Sequence, residues 1–316
     1  KEGTRPPYDV DDSDALLGTA DLLIAVGHQK SAASILRAQL RLWPEDLRSQ
    51  ELLASIDGPS TQPPQFIDQH QTLRGPSVWS EAVKTIDWNQ DGRPDLVFAN
   101  CNGWRRPGDM AAPSAEPLAP TLLLNGTNQD GQPEFVDVTT DTMPSDFRVH
   151  AKNVAVCDID GDGAEDLVFA VAFGGQQRLL RFNREENRFV DETEQRLPEL
   201  LLNSNGVSWG DLDDDGDPDL VFVDSGPNSD RAPGGKARLL LNDGRGHFQE
   251  AASQLPATNK VGAQNPKLLD IDGDLDLDII VDGKSPQTQL YLNDGSASFR
   301  AAPGVIPDAE RNGQPY

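Results

Sequence analysis

The chain has 316 residues and a formal charge of −25, from 52 acidic and 27 basic side chains. That balance excludes nucleic acid and anionic membrane surfaces as partners, because phosphate binding needs basic clusters. No run of about 18 apolar residues is available to span a bilayer, and the length suffices for a large core in two domains.

Lys1 in place of Met, and the lack of a signal-type apolar segment, read as a processed or trimmed chain. Residues 1–57 form a helical segment. Within 14–56, Leu16, Ala20, Leu23, Ala32 and Leu36 recur at helical spacings, Gly27 opens a turn, Pro44 closes the second helix, and a third apolar-periodic piece runs from Leu47 to Ile56. The small residues Ala20 and Ala32, the glycine between helices and the terminal proline make this segment resemble a tetratricopeptide repeat. Gln39 departs from that pattern, which has a small residue there. One such unit cannot bury both its faces, so the resemblance implies a dock or spacer; a plain helical hairpin capping the domain edge fits the same residues. Residues 58–64 (GPSTQPP) are a linker by composition.

From 65 to 316 the pattern alternates, and four stretches dominate it: Asp87–Asp95, Asp158–Asp166, Asp211–Asp219 and Asp270–Asp278. Each reads D-x-[DN]-x-D-x-x-x-D and runs into an apolar β-type segment. Together they place 19 acidic residues in 36, a density that repels itself unless a cation sits inside. Successive first aspartates lie 71, 53 and 59 residues apart, which is the irregular period of one repeated unit with variable loops.

Odd-numbered side chains of a curled loop converge, and a calcium ion takes six to eight oxygens at roughly 2.3–2.6 Å. The expected ligands are Asp87, Asn89, Asp91 and Asp95 with the carbonyl of Arg93; Asp158, Asp160, Asp162 and Asp166 with that of Ala164; Asp211, Asp213, Asp215 and Asp219 with that of Asp217; and Asp270, Asp272, Asp274 and Asp278 with that of Asp276. Gly92, Gly163 and Gly216 occupy the sixth position, where the turn needs φ > 0. Leu275 stands there in the fourth loop, at a cost of about 1–2 kcal/mol, so that loop is expected to bend differently or bind more weakly. The first loop is expected to be weak as well, because Asn89 is neutral and Arg93 is close by. Magnesium demands a rigid octahedron, and zinc wants histidine or thiolate; His28, His70, His150 and His247 show no ligand spacing. Low-affinity calcium loops fill where the ion is near millimolar, which points to the cell exterior, the cell surface or the periplasm. There Cys101 and Cys157 either form one disulfide or remain two buried thiols.

Each acidic loop lies between two short strands, and a second hairpin follows: Leu122–Asn125 to Phe135–Val138, Leu179–Asn183 to Phe189–Asp191, Leu239–Asn242 to Phe248–Gln249, and Leu290–Asn293 to Phe299–Arg300. The turns Asn242-Asp243-Gly244 and Asn293-Asp294-Gly295 are strong hairpin signals. The unit is therefore four antiparallel strands, and a row of such units makes a β-propeller, with blades near 77–140, 148–194, 205–252 and 262–302. The acidic core, paired with a hairpin such as Leu239-Leu240-Leu241-Asn242-Asp243-Gly244-Arg245-Gly246-His247-Phe248, resembles the FG-GAP/VCBS repeat that also builds the head of integrin α-subunits. This resemblance covers roughly residues 65–302. It implies a calcium-binding propeller and is nearly silent on activity, since that family includes adhesion receptors, lectins and sugar-processing enzymes. Gln65–Asp68 looks like a fourth strand with no acidic loop before it. Either it is lent to a last blade beyond Tyr316, or it covers an edge.

The chain carries no nucleophile elbow, phosphate-cradling loop or Cys–His pair at a recognisable spacing, so binding of a protein or glycan, of the adhesion type, is the expected role. The loops 102–120 and 225–236 join second to third strands. They carry Trp104, Arg105, Arg106 and Met110, and Arg231 and Lys236, which form either a site for an anionic partner or sugar, or ordinary solvated loops. Two alternatives remain open: a carbohydrate lyase or dehydratase, with a proton-transfer residue at the propeller axis, and one subunit of a larger assembly.

Overall fold

A computed structural model describes residue 20 and residues 29–42, 46–57, 78–101, 116–127, 133–226, 235–256, 263–283 and 288–303. The chain divides into two compact units, Lys1–Asp68 and Gln69–Tyr316. The expected linker 58–64, the strand-like Gln65–Asp68, and Trp104, Arg105, Arg106, Met110 and Arg231 lie outside the described residues.

In the first unit, α1 (Gln29–Leu42) packs on α2 (Leu47–Asp57). Ala20, Ala32 and Leu36 are fully buried, with Ile35, Leu52, Leu53 and Ile56 against them. Gln39, the departure from the small-residue pattern, is also fully buried, and the structure shows its use. Its Nε2 donates to Asp46 Oδ2 at 2.9 Å, while Asp46 caps α2 by accepting from the Arg48 N–H at 3.1 Å and the Ser49 hydroxyl at 2.7 Å. The Ser49 hydrogen bond leads the contacts that hold the Asp46 carboxyl below its usual range. Among the described residues no helix is long and apolar enough to cross a membrane.

The second unit is mainly β, built from several antiparallel sheets with a few helical turns. Four sheets are four-stranded meanders. The first holds β1 (Ser80–Ile86), β2 (Asp95–Asn100), β3 (Thr121–Thr127) and β4 (Pro133–Asp137). The second holds β5 (Ala151–Cys157), β6 (Asp166–Val171), β8 (Arg178–Asn183) and β9 (Arg188–Asp191). A two-stranded ribbon pairs β7 (Gly175–Gln176) with β10 (Leu201–Leu202). The third sheet holds β11 (Ser204–Gly210), β12 (Asp219–Asp224), β13 (Ala237–Asn242) and β14 (Phe248–Glu250), and the fourth β15 (Ala263–Leu269), β16 (Asp278–Gly283), β17 (Gln289–Leu292) and β18 (Arg300–Ala301). Each acidic loop is the bend from first to second strand, and each first strand breaks register near its start, as between Ala151 and Asn153 or Ser204 and Gly206.

The sheets stand in a row, with β1 beside β5, β5 beside β11 and β11 beside β15. Alternation along each second strand sends side chains into two different cores. Leu167, Phe169 and Val171 of β6 join Val97 and Leu122 of the first sheet, whereas Val168 and Ala170 face Val207, Leu220 and Phe222 of the third. Val221 and Val223 of β12 meet Ile279, Val281 and Tyr291 of the fourth. β6 is therefore buried throughout, while β1, which lies at one end of the row, is largely exposed.

The second residue of each acidic loop plugs the core towards the next sheet. Trp88, Ile159 and Leu212 are 4%, 1% and 1% exposed, whereas Ile271, with no four-stranded sheet after its own among the described residues, is 37% exposed. The asparagine ending the third strand then ties the sheets together. Asn242 Nδ2 donates to the Ile159 carbonyl at 2.9 Å and the Pro218 carbonyl at 3.1 Å, and Asn293 Nδ2 to those of Leu212 and Leu277 at 2.8 and 3.2 Å. In the first sheet, among the described residues, Asn125 Nδ2 reaches only the Pro94 carbonyl of its own acidic loop, at 2.9 Å. In the second sheet the equivalent place belongs to Phe182, which packs its ring on Phe189 at 5.1 Å between centroids.

Asn242→Ala leaves two carbonyls without their buried donor and is expected to lower unfolding free energy by about 1–3 kcal/mol. Asn125→Ala, at a more exposed site within one sheet, should cost clearly less. Equilibrium urea unfolding of the two variants checks the difference.

Candidate metal centres

The acidic loops share one backbone course. The sixth residue has positive φ in all four: Gly92 at 79°, Gly163 at 81°, Gly216 at 93° and Leu275 at 79°. Leu275 therefore takes the same bend as the glycines and does not reroute the loop; its side chain is 88% exposed. The fourth residue is left-handed as well, through Gln90, Gly161, Asp214 and Gly273 at 57°, 70°, 59° and 84°. Sequence reading misses this second bend, because only two of the four are glycine.

The first aspartate holds the curl shut. Asp158 Oδ1 and Oδ2 accept from the N–H groups of Asp162 and Gly163 at 3.1 and 2.7 Å, and Asp211 does the same with Asp215 and Gly216 at 3.2 and 3.0 Å. Asp87 repeats the pattern with Asp91 and Gly92, and Asp270 takes Gly273 and Leu275. The ninth aspartate is the anchor. Asp95, Asp166, Asp219 and Asp278 are at most 1% exposed. Asp219 Oδ2 accepts from the Leu212 N–H at 3.0 Å and Oδ1 from the Asn242 N–H at 2.9 Å, so one carboxylate joins the loop to the third strand. Asp166 and Asp278 make the same pair of bonds.

Three loops bring the first, third and ninth carboxylates together. In Asp158, Asp160 and Asp166, in Asp211, Asp213 and Asp219, and in Asp270, Asp272 and Asp278, one oxygen from each residue lies within 4.8 Å of the others. The fifth-position carboxylates, also expected as ligands, each accept through Oδ1 from the loop's own backbone: Asp91 from Arg93, Asp162 from Ala164, Asp215 from Asp217 and Asp274 from Asp276, at 2.8–3.1 Å. In the first loop Asn89 is likewise turned inward, its Oδ1 accepting from the Asp91 N–H at 3.0 Å.

A cation suits what remains. Asp95 Oδ2, Asp160 Oδ1 and Asp213 Oδ1 are buried without any hydrogen-bond partner, a state that costs a charged oxygen heavily. Burial is the main cause that pushes Asp166 and Asp219 up to about 7 and Asp95 to about 6. Burial, followed by the charges of Asp215 and Asp211, also raises Asp213. The donor set is all oxygen, which fits a hard ion such as calcium. At the second loop, protein cations share the acids: Arg196 Nη2 lies 3.1 Å from Asp160 Oδ2 and Arg181 Nη1 3.6 Å from Asp162 Oδ2. Arg300 stands 3.7 Å from Asp272 at the fourth. These arginines come from distant strands and turns, so no local spacing announces them. The loops also touch one another, since Glu165 Oε2 accepts from the Asp87 N–H at 2.7 Å and Gln90 Nε2 donates to the Gly163 carbonyl.

Cys101 and Cys157 are buried, free thiols, and burial pushes Cys101 up to about 11. His150 sits edge-on to Phe173, and His247 belongs to an exposed hairpin.

Comparison with known proteins agrees with this architecture. A model of the FG-GAP-like repeat matches residues 87–169 and 158–222, so repeats of that class are present, and both matches begin on the first aspartate of an acidic loop. Cartilage acidic protein 1 of Mus musculus is 32% identical over 36% of this chain and 21% of its own length. The Homo sapiens protein of the same name is 30% identical over 36% of this chain and 20% of its own. The similarity thus spans about one fifth of these relatives.

Leu275→Gly removes a branched side chain from a left-handed position. It should raise stability by roughly 1 kcal/mol, the residue of a 1–2 kcal/mol strain partly offset by glycine's greater freedom in the unfolded chain. Thermal melts of the two proteins side by side give the measurement.

Proposed function

We propose that this chain is a calcium-stabilised β-propeller that acts outside the cell, at its surface or in the periplasm as a scaffold for binding a protein or glycan. The observation that carries this reading is the convergence of three carboxylates in each of three loops, beside buried oxygens that no protein group satisfies. Calcium at these positions would be held by Asp158, Asp160 and Asp166, by Asp211, Asp213 and Asp219, and by Asp270, Asp272 and Asp278, with the remaining oxygens of Asp162, Asp215 and Asp274 and the carbonyls of Ala164, Asp217 and Asp276 as further donors. The first loop, with Asp87, Asn89, Asp91, the Arg93 carbonyl and Asp95, is a fourth and weaker site. The third loop is the strongest, because among the described residues no arginine is paired with its acids.

The role of the metal is structural. Carboxylates that repel one another in the folded chain become attractive around a cation, so binding free energy is folding free energy. Four divalent ions would bring the formal charge from −25 to −17. The meander sheets, set first strand beside first strand, are the blades of the propeller. The helical unit is a dock or spacer for a partner or a larger assembly. FG-GAP-like repeats and relatives named for cartilage support a place in an extracellular, adhesion-type setting.

Millimolar calcium should raise the melting temperature, and EGTA should reverse the gain; a melt indifferent to both overturns the reading. Asp211→Ala should lower the calcium stoichiometry by one in isothermal titration and diminish, without abolishing, the thermal gain.

A further inference from the structure

A cavity of about 320 Å³ lies where the first strands of all four sheets face one another. Its walls include Lys84 and Thr85 of β1, Ser208 and Trp209 of β11, and Lys267 and Leu268 of β15, with β5 completing the lining. The volume is at the small end of ligand pockets, enough for one or two sugar rings. One end is tied off: Asn153 Nδ2 donates to Asn265 Oδ1 at 2.8 Å, two residues before the lining positions of their strands, and Ser208 Oγ donates to the Pro266 carbonyl at 2.6 Å. The other end faces the acidic loops, which begin two to four residues after the lining residues on every strand.

The basic side chains of this unit are of two kinds, those paired with an acid and those that, among the described residues, are not. Lys152, Arg178, Arg181, Arg196 and Arg238 are each paired with an acid. Lys84 and Lys267, both exposed, are on the lining of the cavity and, among the described residues, pair with no acid, although the chain carries 52 acids. Trp209 is 47% exposed on a strand from the middle of the row, where most of its neighbours are buried. Two lysines without an acid partner among the described residues and a half-exposed tryptophan, all on the lining of one small cavity, are complementary to an anionic ring with an apolar side.

We propose that this cavity binds an acidic saccharide, its carboxylate or sulfate held by Lys84 and Lys267 and its ring laid on Trp209. The loops at the open end couple the site to metal, a clause that rests on the calcium reading above. Bare carboxylates at the mouth repel an anion, and cation-filled ones do not, so each ligand strengthens the other by the same factor.

Ligand-observed NMR titration of the full chain with glucuronate and with N-acetylglucosamine 6-sulfate tests the proposal and separates carboxylated from sulfated ligands. Glucose and N-acetylglucosamine serve as uncharged controls. At least one acidic sugar should bind more tightly in calcium than in EGTA, and neither control should match it. Lys84→Ala, Lys267→Ala and Trp209→Ala should each weaken binding about tenfold while keeping the parent's calcium-dependent melt. Failure of both acidic sugars to bind overturns the cavity proposal, as does binding that survives the double lysine variant or is matched by the uncharged sugars. A melt indifferent to calcium overturns the calcium reading alone: lysine-dependent binding of an acidic sugar then still supports the cavity, and its absence removes both.

Discussion

The buried ninth aspartate of each acidic loop is the constraint on which this architecture turns. A carboxylate at most 1% exposed must be satisfied from inside. Asp166, Asp219 and Asp278 each meet that demand by accepting one backbone N–H from the loop and one from the third strand of the same sheet. Charge and hydrogen bonding thus fix three strands at a single point, and they leave the remaining acidic oxygens crowded around a space of cation size. The apolar second residue of the loop then plugs the neighbouring core, so the loop that gathers the carboxylates also joins one sheet to the next.

The asparagine staple extends the same logic. Its amide donates to a carbonyl of the preceding sheet's acidic loop, and its own carbonyl oxygen accepts from the hairpin turn, as Asn242 does from Asp243 and Gly246 at 2.9 Å. A residue chosen for turn chemistry is therefore also a contact between repeats. Phe182 takes that place in the second sheet, where the first two acidic loops are joined instead by Glu165 and Gln90.

Much of this was legible in one dimension. Fixed spacing of aspartates, alternation in the flanking strands and the Asn-Asp-Gly turns all act over fewer than about ten residues, and the meander sheets follow from them. What was hidden acts across the chain or against expectation. Left-handed Gln90 and Asp214 carry no glycine to reveal them. Arg196 reaches Asp160 over 36 positions. The fifth-position acids each give one oxygen to a backbone N–H of their own loop, a local bond that a ligand count does not see. Leu275 in the glycine position suggests a different bend or a weaker site; the loop takes the common bend, with the Gly273 and Leu275 N–H groups donating to Asp270, and the leucine bears the strain in solvent. Gln39 departs in sequence from a helical-repeat pattern, and in the structure it holds the cap of the following helix.

The row of sheets, each touching mainly the one before and the one after, also has a kinetic meaning. Contacts across each seam are short in sequence compared with the length of the unit, so order can spread from seam to seam. Opening should then run inward from the terminal sheets, leaving the seam shared by β6 and β12 as the last refuge of the native state and the slowest part of the molecule to exchange its amide hydrogens.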